Sequence, residues 1–443
     1  MNKHIFRSYD IRGVYKKDID ENLMRKIGNA FAQSVEGEVL VANDMRLSSE
    51  SLARAFISGV NDAGKNVFSL GLVPMAVAMF HAWKNNLELA YITASHLPKE
   101  WNGVKFFHKD GIGFIDRENY KIRDTVIDEK FVKNEKGKTL ELNSKEVMEN
   151  YKNYLLSKLR AEKPLRIIVD CGNGTTGLVA KDLFEKAGFS VSVIFEKPDG
   201  NMPNRGGDPH EDGLEELKKK VGDADLGVAF DGDGDRVVLM DEKGNKLSSE
   251  ETAYIIMEEL GKEEGPIVAT VECTHLIDDI AMRFNKDVIR TPVGHTFLVE
   301  AVHKHKACFG TENSGHAIIP SITPFDDAIP ISIYAAIVVA KSGKRLSEHL
   351  SEMPHYPFTA KAFVCSDDKK FEIINKLEKR FSEEYDKVNT TDGVRIDFEN
   401  SWVLIRASNT EPKIKLSLQA MDNEKLKEMK KKFSKILEDA IKQ

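Results

Sequence analysis

The sequence predicts an α/β protein of several domains, closed by a smaller α+β unit. Over most of the 443 residues, short apolar runs alternate with segments of helical apolar spacing, the pattern of a mostly parallel, doubly wound sheet covered by helices. A highly charged stretch around residues 127–146 and a second break near Ser248 divide that alternation into domain-sized pieces. After Pro354 the strands follow one another closely between long charged helices, as in a small antiparallel sheet. A chain of this length holds roughly three or four domains.

Composition excludes several classes. Hydrophobic residues at 41% and charged residues at 30% are those of a soluble globular protein. The formal net charge of -7 argues against a nucleic-acid partner, which would want a basic face. An anionic substrate must then be drawn in by local Arg, Lys or metal. The four cysteines, Cys171, Cys273, Cys308 and Cys365, lie far apart, so neither a zinc site nor a disulfide framework is expected and the compartment should be reducing. The first ten residues lack the apolar core of a signal peptide. The longest apolar stretch, residues 329–340, is too short to cross a bilayer and reads as a buried helix. A cytoplasmic protein without a membrane partner is expected, and the sequence sets no oligomeric state.

In chain order, Phe6-Arg7-Ser8-Tyr9-Asp10-Ile11-Arg12-Gly13 mixes aromatic, basic and acidic side chains before a glycine. Leu23, Ile27 and Phe31 recur every four residues and predict an amphipathic helix. Residues 39–42 read as a strand ending at Asn43-Asp44-Met45-Arg46, a helix begins near Leu52, and residues 66–70 form the next strand. Residues 89–92 then run into Thr93-Ala94-Ser95-His96-Leu97-Pro98, followed by Trp101-Asn102-Gly103-Val104-Lys105. A serine at the carboxyl end of a buried strand sits where open α/β sheets place their ligands. His96 supplies a proton carrier and Lys105 a point charge for phosphate. The bland alternative is a Ser/Thr turn before a proline.

The next unit opens with a strand at residues 166–170, which runs into Cys171-Gly172-Asn173-Gly174-Thr175-Thr176-Gly177. Such a turn either binds phosphate on its N–H groups or simply turns tightly, and its spacing matches neither common phosphate fingerprint. Residues 198–212, rich in Pro, Gly, Asn and Asp, should form an irregular loop. A strand at 226–230 meets Asp231-Gly232-Asp233-Gly234-Asp235-Arg236 before strand 237–240. Three carboxylates at alternate positions raise one another's pKa unless a cation joins them, and hard oxygen donors suit Mg²⁺ or Ca²⁺. An EF-hand would need glycine where Arg236 stands and helices where the flanks read as strands. Mg²⁺ with a substrate phosphate is therefore expected over a Ca²⁺ loop or a solvated acidic turn, with Arg236 placed to hold a phosphoryl oxygen.

A third unit carries strands at 266–271 and 288–291, then Pro292-Val293-Gly294-His295 and Gly310-Thr311-Glu312-Asn313-Ser314-Gly315-His316 at strand ends. Glu312 and Ser314, two apart on an extended segment, should face the same way and bond adjacent sugar hydroxyls. A lone histidine is more often structural; His295 and His316 on adjacent loops point to function. The last unit should hold strands at 358–365, 394–398 and 402–406. Its final helix carries Leu426, Met429, Phe433, Ile436, Leu437 and Ala440 on one face. Its loop Arg406-Ala407-Ser408-Asn409-Thr410-Glu411-Pro412 offers a nest for a phosphate.

In that order, the first stretch and the serine, acidic, Glu312 and Arg406 loops together resemble the α-D-phosphohexomutases over essentially the whole chain. The resemblance implies four domains around a central cleft: three similar α/β domains with mixed sheets plus a C-terminal α+β domain. It assigns residues 1–146 to the phosphoserine, 147–247 to metal binding, 248–354 to sugar recognition and 355–443 to phosphate binding. It implies interconversion of hexose 1-phosphate and 6-phosphate through a phosphoserine at Ser95 and a hexose 1,6-bisphosphate. One Mg²⁺ would be held by the Ser95 phosphate with Asp231, Asp233 and Asp235. Ser95, His96, Lys105, Arg236 and His295 would be catalytic, His295 as the proton acceptor. Tyr9, Arg12, Glu312, Ser314, His316, Arg406, Ser408, Asn409 and Thr410 would bind the sugar phosphate.

Two residues depart from the family pattern. Leu97 stands where the family usually has Asn. Glu272 precedes Cys273-Thr274, where members acting on both mannose and glucose phosphates often carry a basic residue. Asn313, in place of the glutamine usual in the glucosamine branch, and Phe325-Asp326-Asp327-Ala328-Ile329 favour a phosphomannomutase/phosphoglucomutase, with phosphoglucosamine mutase as the alternative. Two rivals come from other classes. A Ser-nucleophile phosphatase would want further His/Asp ligands to activate water. A non-catalytic sugar-phosphate sensor should tolerate loss of Ser95 or of an aspartate.

Overall fold

The structure, a computed structural model, describes residues 3–210, 213–408 and 412–442. The strand–helix alternation of the sequence becomes three sheets with one shared strand order. In the first, Val67–Leu72, Val39–Asn43 and Glu88–Ile92 lie parallel, and Trp101–Phe107 returns antiparallel beside Glu88–Ile92. In the second, Ser190–Ile194, Arg166–Asp170 and Leu226–Phe230 are parallel and Val237–Met240 returns. The third repeats the plan with Val288–Thr291, Ile267–Thr270, Phe309–Thr311 and Ala317–Ile318. Parallel neighbours need crossovers, and two helices per domain supply them; the antiparallel strand needs only a hairpin. Each hairpin leaves the carboxyl edge of its sheet. One polar loop per domain, at 93–100, 231–236 and 312–316, is thus clamped between two buried strands.

The first sheet is wider than the plan. Ile11–Val14 pairs antiparallel with Trp101–Phe107, and Thr139–Glu141 pairs parallel with Val67–Leu72. The charged stretch expected to mark a boundary therefore contains a strand of the first sheet, whose side chains are exposed while its backbone pairs. Helices Glu21–Ala32 and Ser49–Asp62 cover this sheet in backbone contact. A Cβ on Gly28 would lie 2.2 Å from Phe56 O, and one on Gly59 1.9 Å from Arg25 O.

The fourth sheet is antiparallel throughout, in the order Phe358–Val364, Lys413–Gln419, Trp402–Ala407, Val394–Asp397, Val388–Asn389. Met429, Phe433 and Leu437 of helix Asn423–Lys442 are buried against it, with Leu426, Ile436 and Ala440 partly buried. The apolar stretch at 329–340 is a buried helix, Ala328–Ser342, that packs on helix Ser249–Leu260 and on the second sheet. One continuous apolar core joins the first three domains, whereas the fourth has its own. Val271, Val293, Trp402 and Leu404 form the apolar seam between the third and fourth. Among the described residues no helix is long and apolar enough to cross a membrane. The four cysteines are buried, and none is in a disulfide.

Candidate active site

The serine loop begins where Glu88–Ile92 ends. Ser95 is fully buried and has φ +50°, a left-handed conformation that a residue with a Cβ adopts only when its surroundings impose it. Its N–H donates to Thr93 Oγ1 at 2.8 Å, and its Oγ donates to Asp231 Oδ2 of the second domain at 2.9 Å. His96 Nδ1 lies 3.4 Å from Ser95 Oγ. Burial, and then the charges of Arg236 and Arg12, hold the His96 imidazole well below its usual pKa, so it is neutral.

The acidic loop folds around one of its own carboxylates. Asp231 Oδ1 accepts the N–H groups of Gly234, Asp235 and Arg236 at 2.9, 3.1 and 3.2 Å. Asp231, Asp233 and Asp235 bring their carboxylate oxygens within 4.8 Å of one another. Lys105 is buried and bonds Asp235 Oδ2 at 2.6 Å, with Asp233 Oδ2 at 3.4 Å. Burial, then the charges of Asp235 and Asp233, push the Asp231 carboxyl well up. Burial is the largest influence and opposes ionisation of Asp235, but Lys105 and the other basic neighbours, Arg236 among them, together outweigh it and hold that carboxyl well down. Asp233 Oδ1 and Asp235 Oδ1 are buried without a partner. Three carboxylates against one lysine, with two spare buried oxygens and only oxygen donors, fit a hard divalent cation such as Mg²⁺.

The glycine-rich turn at 171–177 does not offer a phosphate site. Thr175 N–H bonds Gly232 O at 3.0 Å, Gly174 N–H bonds Cys171 O at 2.7 Å, and Asn173 N–H bonds Phe195 O at 2.9 Å. A Cβ on Gly174 would lie 2.8 Å from Gly232 O. The turn is a buttress under the acidic loop, with its amides already engaged.

The two histidines of the third domain have different states. Arg236 Nε donates to His316 Nε2 at 3.0 Å, and an arginine Nε can only donate. His316 therefore carries its proton on Nδ1, which points at Asp326 Oδ2, 2.8 Å away. His295 stacks on that ring, centroids 5.1 Å apart. Its Nδ1 is 3.4 Å from the same Asp326 oxygen without hydrogen-bond geometry, and both its nitrogens lack a partner. His316 thus orients Arg236, while neither nitrogen of His295 is committed to a hydrogen bond. His295, His316 and Asp326 are close enough to suit a metal, but both His316 nitrogens are committed.

Glu312 and Ser314 do share a side of their loop, but they bond each other there. Ser314 Oγ donates to Glu312 Oε1, and Glu312 Oε2 accepts from Gly294 N–H at 2.7 Å. Tyr9 lies edge-on to His295 with centroids 5.7 Å apart. Burial, then Asp10 and Glu312, raise its phenol, so it is neutral. Arg12 is buried, its Nε 2.7 Å from Asp10 Oδ2. From the fourth domain, buried Arg406 lies 3.4 Å from Glu272 Oε2 and 3.8 Å from Asp392 Oδ2. Glu272 also accepts from Ser417 Oγ at 2.6 Å. Glu272, the departure from the family pattern, is thus an anchor for Arg406. Ser408 is buried, with its carbonyl bonded by Lys370 Nζ at 2.6 Å. Asn409 and Thr410 lie outside the described residues.

Serine, acidic triad, histidine pair and arginine thus come from four sheets. Residues 3–133, 146–244 and 248–356 match the families described as phosphoglucomutase/phosphomannomutase alpha/beta/alpha domains I, II and III, and residues 362–436 match the C-terminal domain. The chain is an α-D-phosphohexomutase of the phosphoglucomutase/phosphomannomutase family. It is 32% identical to a Methanosphaera stadtmanae protein named "Probable phosphoglucosamine mutase", over 99% of each chain. It is also 32% identical to a Thermococcus kodakarensis protein named "Phosphoglucomutase/phosphomannomutase", again over 99% of each. A solved structure of a phosphoglucomutase/phosphomannomutase family protein from Burkholderia thailandensis superposes with TM-score 0.90 at 26% identity, covering 99% of this chain and 98% of that one.

Sequence reasoning gave no role to several residues of this phosphohexomutase site. Asp326 is the acceptor for His316 and lies 3.4 Å from His295 Nδ1. Asp208, from the irregular loop, lies 3.8 Å from Arg236 Nη1. Asp44 and Arg46 sit behind the serine loop. A charged pair at a strand end was the only signal for the last two.

Proposed function

We propose that the protein interconverts an amino-sugar 1-phosphate and 6-phosphate, glucosamine phosphate, through a phosphoserine at Ser95. The observation that carries the mutase reading is Ser95 Oγ, buried and 2.9 Å from a carboxylate of a triad with two unpartnered oxygens. The sugar rests on relatives. The Methanosphaera protein and a 30% identical Methanocaldococcus jannaschii protein both carry the phosphoglucosamine mutase name. This replaces mannose and glucose as the leading reading. Asn313, which favoured them, turns its Nδ2 to Glu250 Oε1 at 3.3 Å, so this position is a poor guide to the sugar. The name of the Thermococcus relative keeps mannose and glucose phosphates as the second reading.

In this reading the sugar's free hydroxyl attacks the phosphorus on Ser95. The new O–P bond forms as the Ser95 Oγ–P bond breaks, and the hydroxyl proton and the phosphoryl group exchange places between sugar and serine. His295 takes the proton from the hydroxyl. The bisphosphate turns over, and Ser95 Oγ attacks its other phosphate, so serine is rephosphorylated and no water is consumed. Asp231, Asp233 and Asp235 would hold a Mg²⁺, which supplies neutralisation of phosphoryl charge. Lys105 balances the triad, and His96 stands beside the serine oxygen. Arg236 and Arg12 hold phosphoryl oxygens, Glu312 and Ser314 read the sugar beside Tyr9, and Arg406 with Ser408 holds the other phosphate.

Phosphorus NMR with Mg²⁺ and a trace of glucose 1,6-bisphosphate tests this, with glucosamine, mannose and glucose 1-phosphates in separate tubes. The 6-phosphate should appear fastest from glucosamine 1-phosphate and not at all with Ser95→Ala. Faster turnover of mannose or glucose would move the assignment to the second reading. Inorganic phosphate as the sole product would mean a phosphatase, and no product in any tube a sensor.

A further inference from the structure

Arg46 belongs to none of the loops assigned to the reaction, yet the serine loop is folded around it. Its side chain is fully buried. Nη2 donates to Ser95 O at 2.7 Å and Leu97 O at 2.6 Å. Nη1 donates to Pro98 O at 2.7 Å and Trp101 O at 3.0 Å. Nε bonds Asp44 Oδ2 at 3.0 Å. Four carbonyl oxygens repel one another when they converge, and only a cation with donors fanned over a plane can satisfy them together.

The anchor continues towards the acidic loop. Asp44 accepts from Ser49 Oγ at 2.5 Å and from Thr93 Oγ1 at 2.8 Å. Thr93 Oγ1 in turn accepts Ser95 N–H and lies 3.1 Å from Asp233 Oδ2. Ser95 is therefore gripped on both its main-chain polar groups, its C=O by Arg46 and its N–H by Thr93. Its left-handed φ of +50° is imposed between these two contacts, and that conformation delivers Oγ to Asp231.

Resting on the phosphoserine reading of Ser95, we propose that Arg46 is a positioning residue for phosphoryl transfer. It fixes the serine main chain through the loop carbonyls without bonding to the residues assigned to the sugar. Its loss should then slow transfer and leave sugar binding intact, because misplacing a reacting oxygen by about 1 Å costs roughly 100-fold in rate.

The test uses the full-length enzyme as Arg46→Lys and Arg46→Gln, with Asp44→Asn as a third variant. The lysine keeps the charge beside Asp44 but not the fork. Expected for both Arg46 variants are a cooperative melt, a KM for the sugar 1-phosphate within about twofold of wild type, and kcat lower by about 100-fold. Transfer of labelled phosphoryl from glucose 1,6-bisphosphate to Ser95, read by intact-protein mass, should slow in parallel. Asp44→Asn should show the same split to a smaller degree. A kcat within about threefold of wild type, a KM that rises as far as kcat falls, or failure of both Arg46 variants to fold would each overturn the proposal. Wild-type enzyme that takes no label on Ser95 would refute the phosphoserine reading itself.

Discussion

Asp231 accepts three backbone N–H groups on one oxygen and the Ser95 hydroxyl on the other. An asparagine can satisfy the same set, with its oxygen towards the amides and its NH₂ donating to Ser95 Oγ. What it lacks is the charge that burial and the neighbouring Asp235 and Asp233 make costly. Asp231→Asn should therefore melt no lower than wild type in excess chelator. Mg²⁺ should raise the wild-type Tm by mass action and leave that of the variant unchanged. Calorimetry with and without chelator checks both; a Mg²⁺-dependent rise that survives in the variant would remove Asp231 from the metal site. The three aspartates were legible in the sequence because their chemistry lies within a run of five residues. Arg46 was not, because it acts on a partner 49 residues along the chain, Ser95. Asp326 bonds His316 only ten residues away, but that bond gains its meaning from Arg236, which is 80 residues from His316.

Asp327 caps the helix Ala328–Ser342, accepting Ile329 N–H at 3.1 Å, and also accepts the Tyr151 hydroxyl at 2.8 Å from helix Ser144–Leu156. Burial raises its carboxyl to about 7, although both hydrogen bonds favour the charged form. The folded pKa thus lies above the unfolded value of about 3.9. The folded state binds the proton more tightly, so this stabilisation is complete below about pH 4 and is lost as pH rises through about 7. Relative to wild type, Asp327→Asn, which keeps the cap, should gain stability from about pH 4 to 7, on the order of a few kcal/mol. Thermal melts of both proteins across that range check this; parallel curves would assign Asp327 an ordinary pKa. At this scale most of the parallel strands were legible as apolar runs and the capped helix as an apolar stretch; the parallel strands Ser190–Ile194 and Thr139–Glu141, which are mostly polar or exposed, were not. The returning strand Trp101–Phe107 was not, because it buries Asn102 and Lys105 among its apolar residues and so has no clean period. Lys413–Gln419 does alternate Lys, Ile, Lys, Leu, Ser, Leu, Gln, yet no strand was expected there.

The whole molecule carries a net charge of -7, so an anionic substrate must be held by cations gathered locally, and one of them arrives from a separate body. The fourth domain has its own core and reaches the third across a narrow seam. There Arg395 stacks on Trp402 at 4.4 Å and donates to Val271 O at 2.6 Å and Cys273 O at 3.3 Å. Gln419 Oε1 takes both Trp402 Nε1–H and His275 N–H. The same segment of the third domain carries Glu272, which anchors Arg406. Docking of the fourth domain and placement of Arg406, the arginine proposed to hold the second phosphate, are therefore one event. Ser95 and the acidic triad lie in the first two domains, whose core is continuous and does not include the seam. Arg395→Ala removes charge-assisted hydrogen bonds worth about 1.5–3 kcal/mol each, and 1.4 kcal/mol is about tenfold in affinity. It should raise KM for the sugar phosphate by about ten- to a hundredfold while Ser95 still takes up phosphoryl from glucose 1,6-bisphosphate at saturating concentration. Initial-rate kinetics beside intact-protein mass separate the two quantities. A fall in kcat at unchanged KM would instead place the seam in the transfer step, and would mean that closure of the fourth domain helps to align the serine as well as to hold the phosphate.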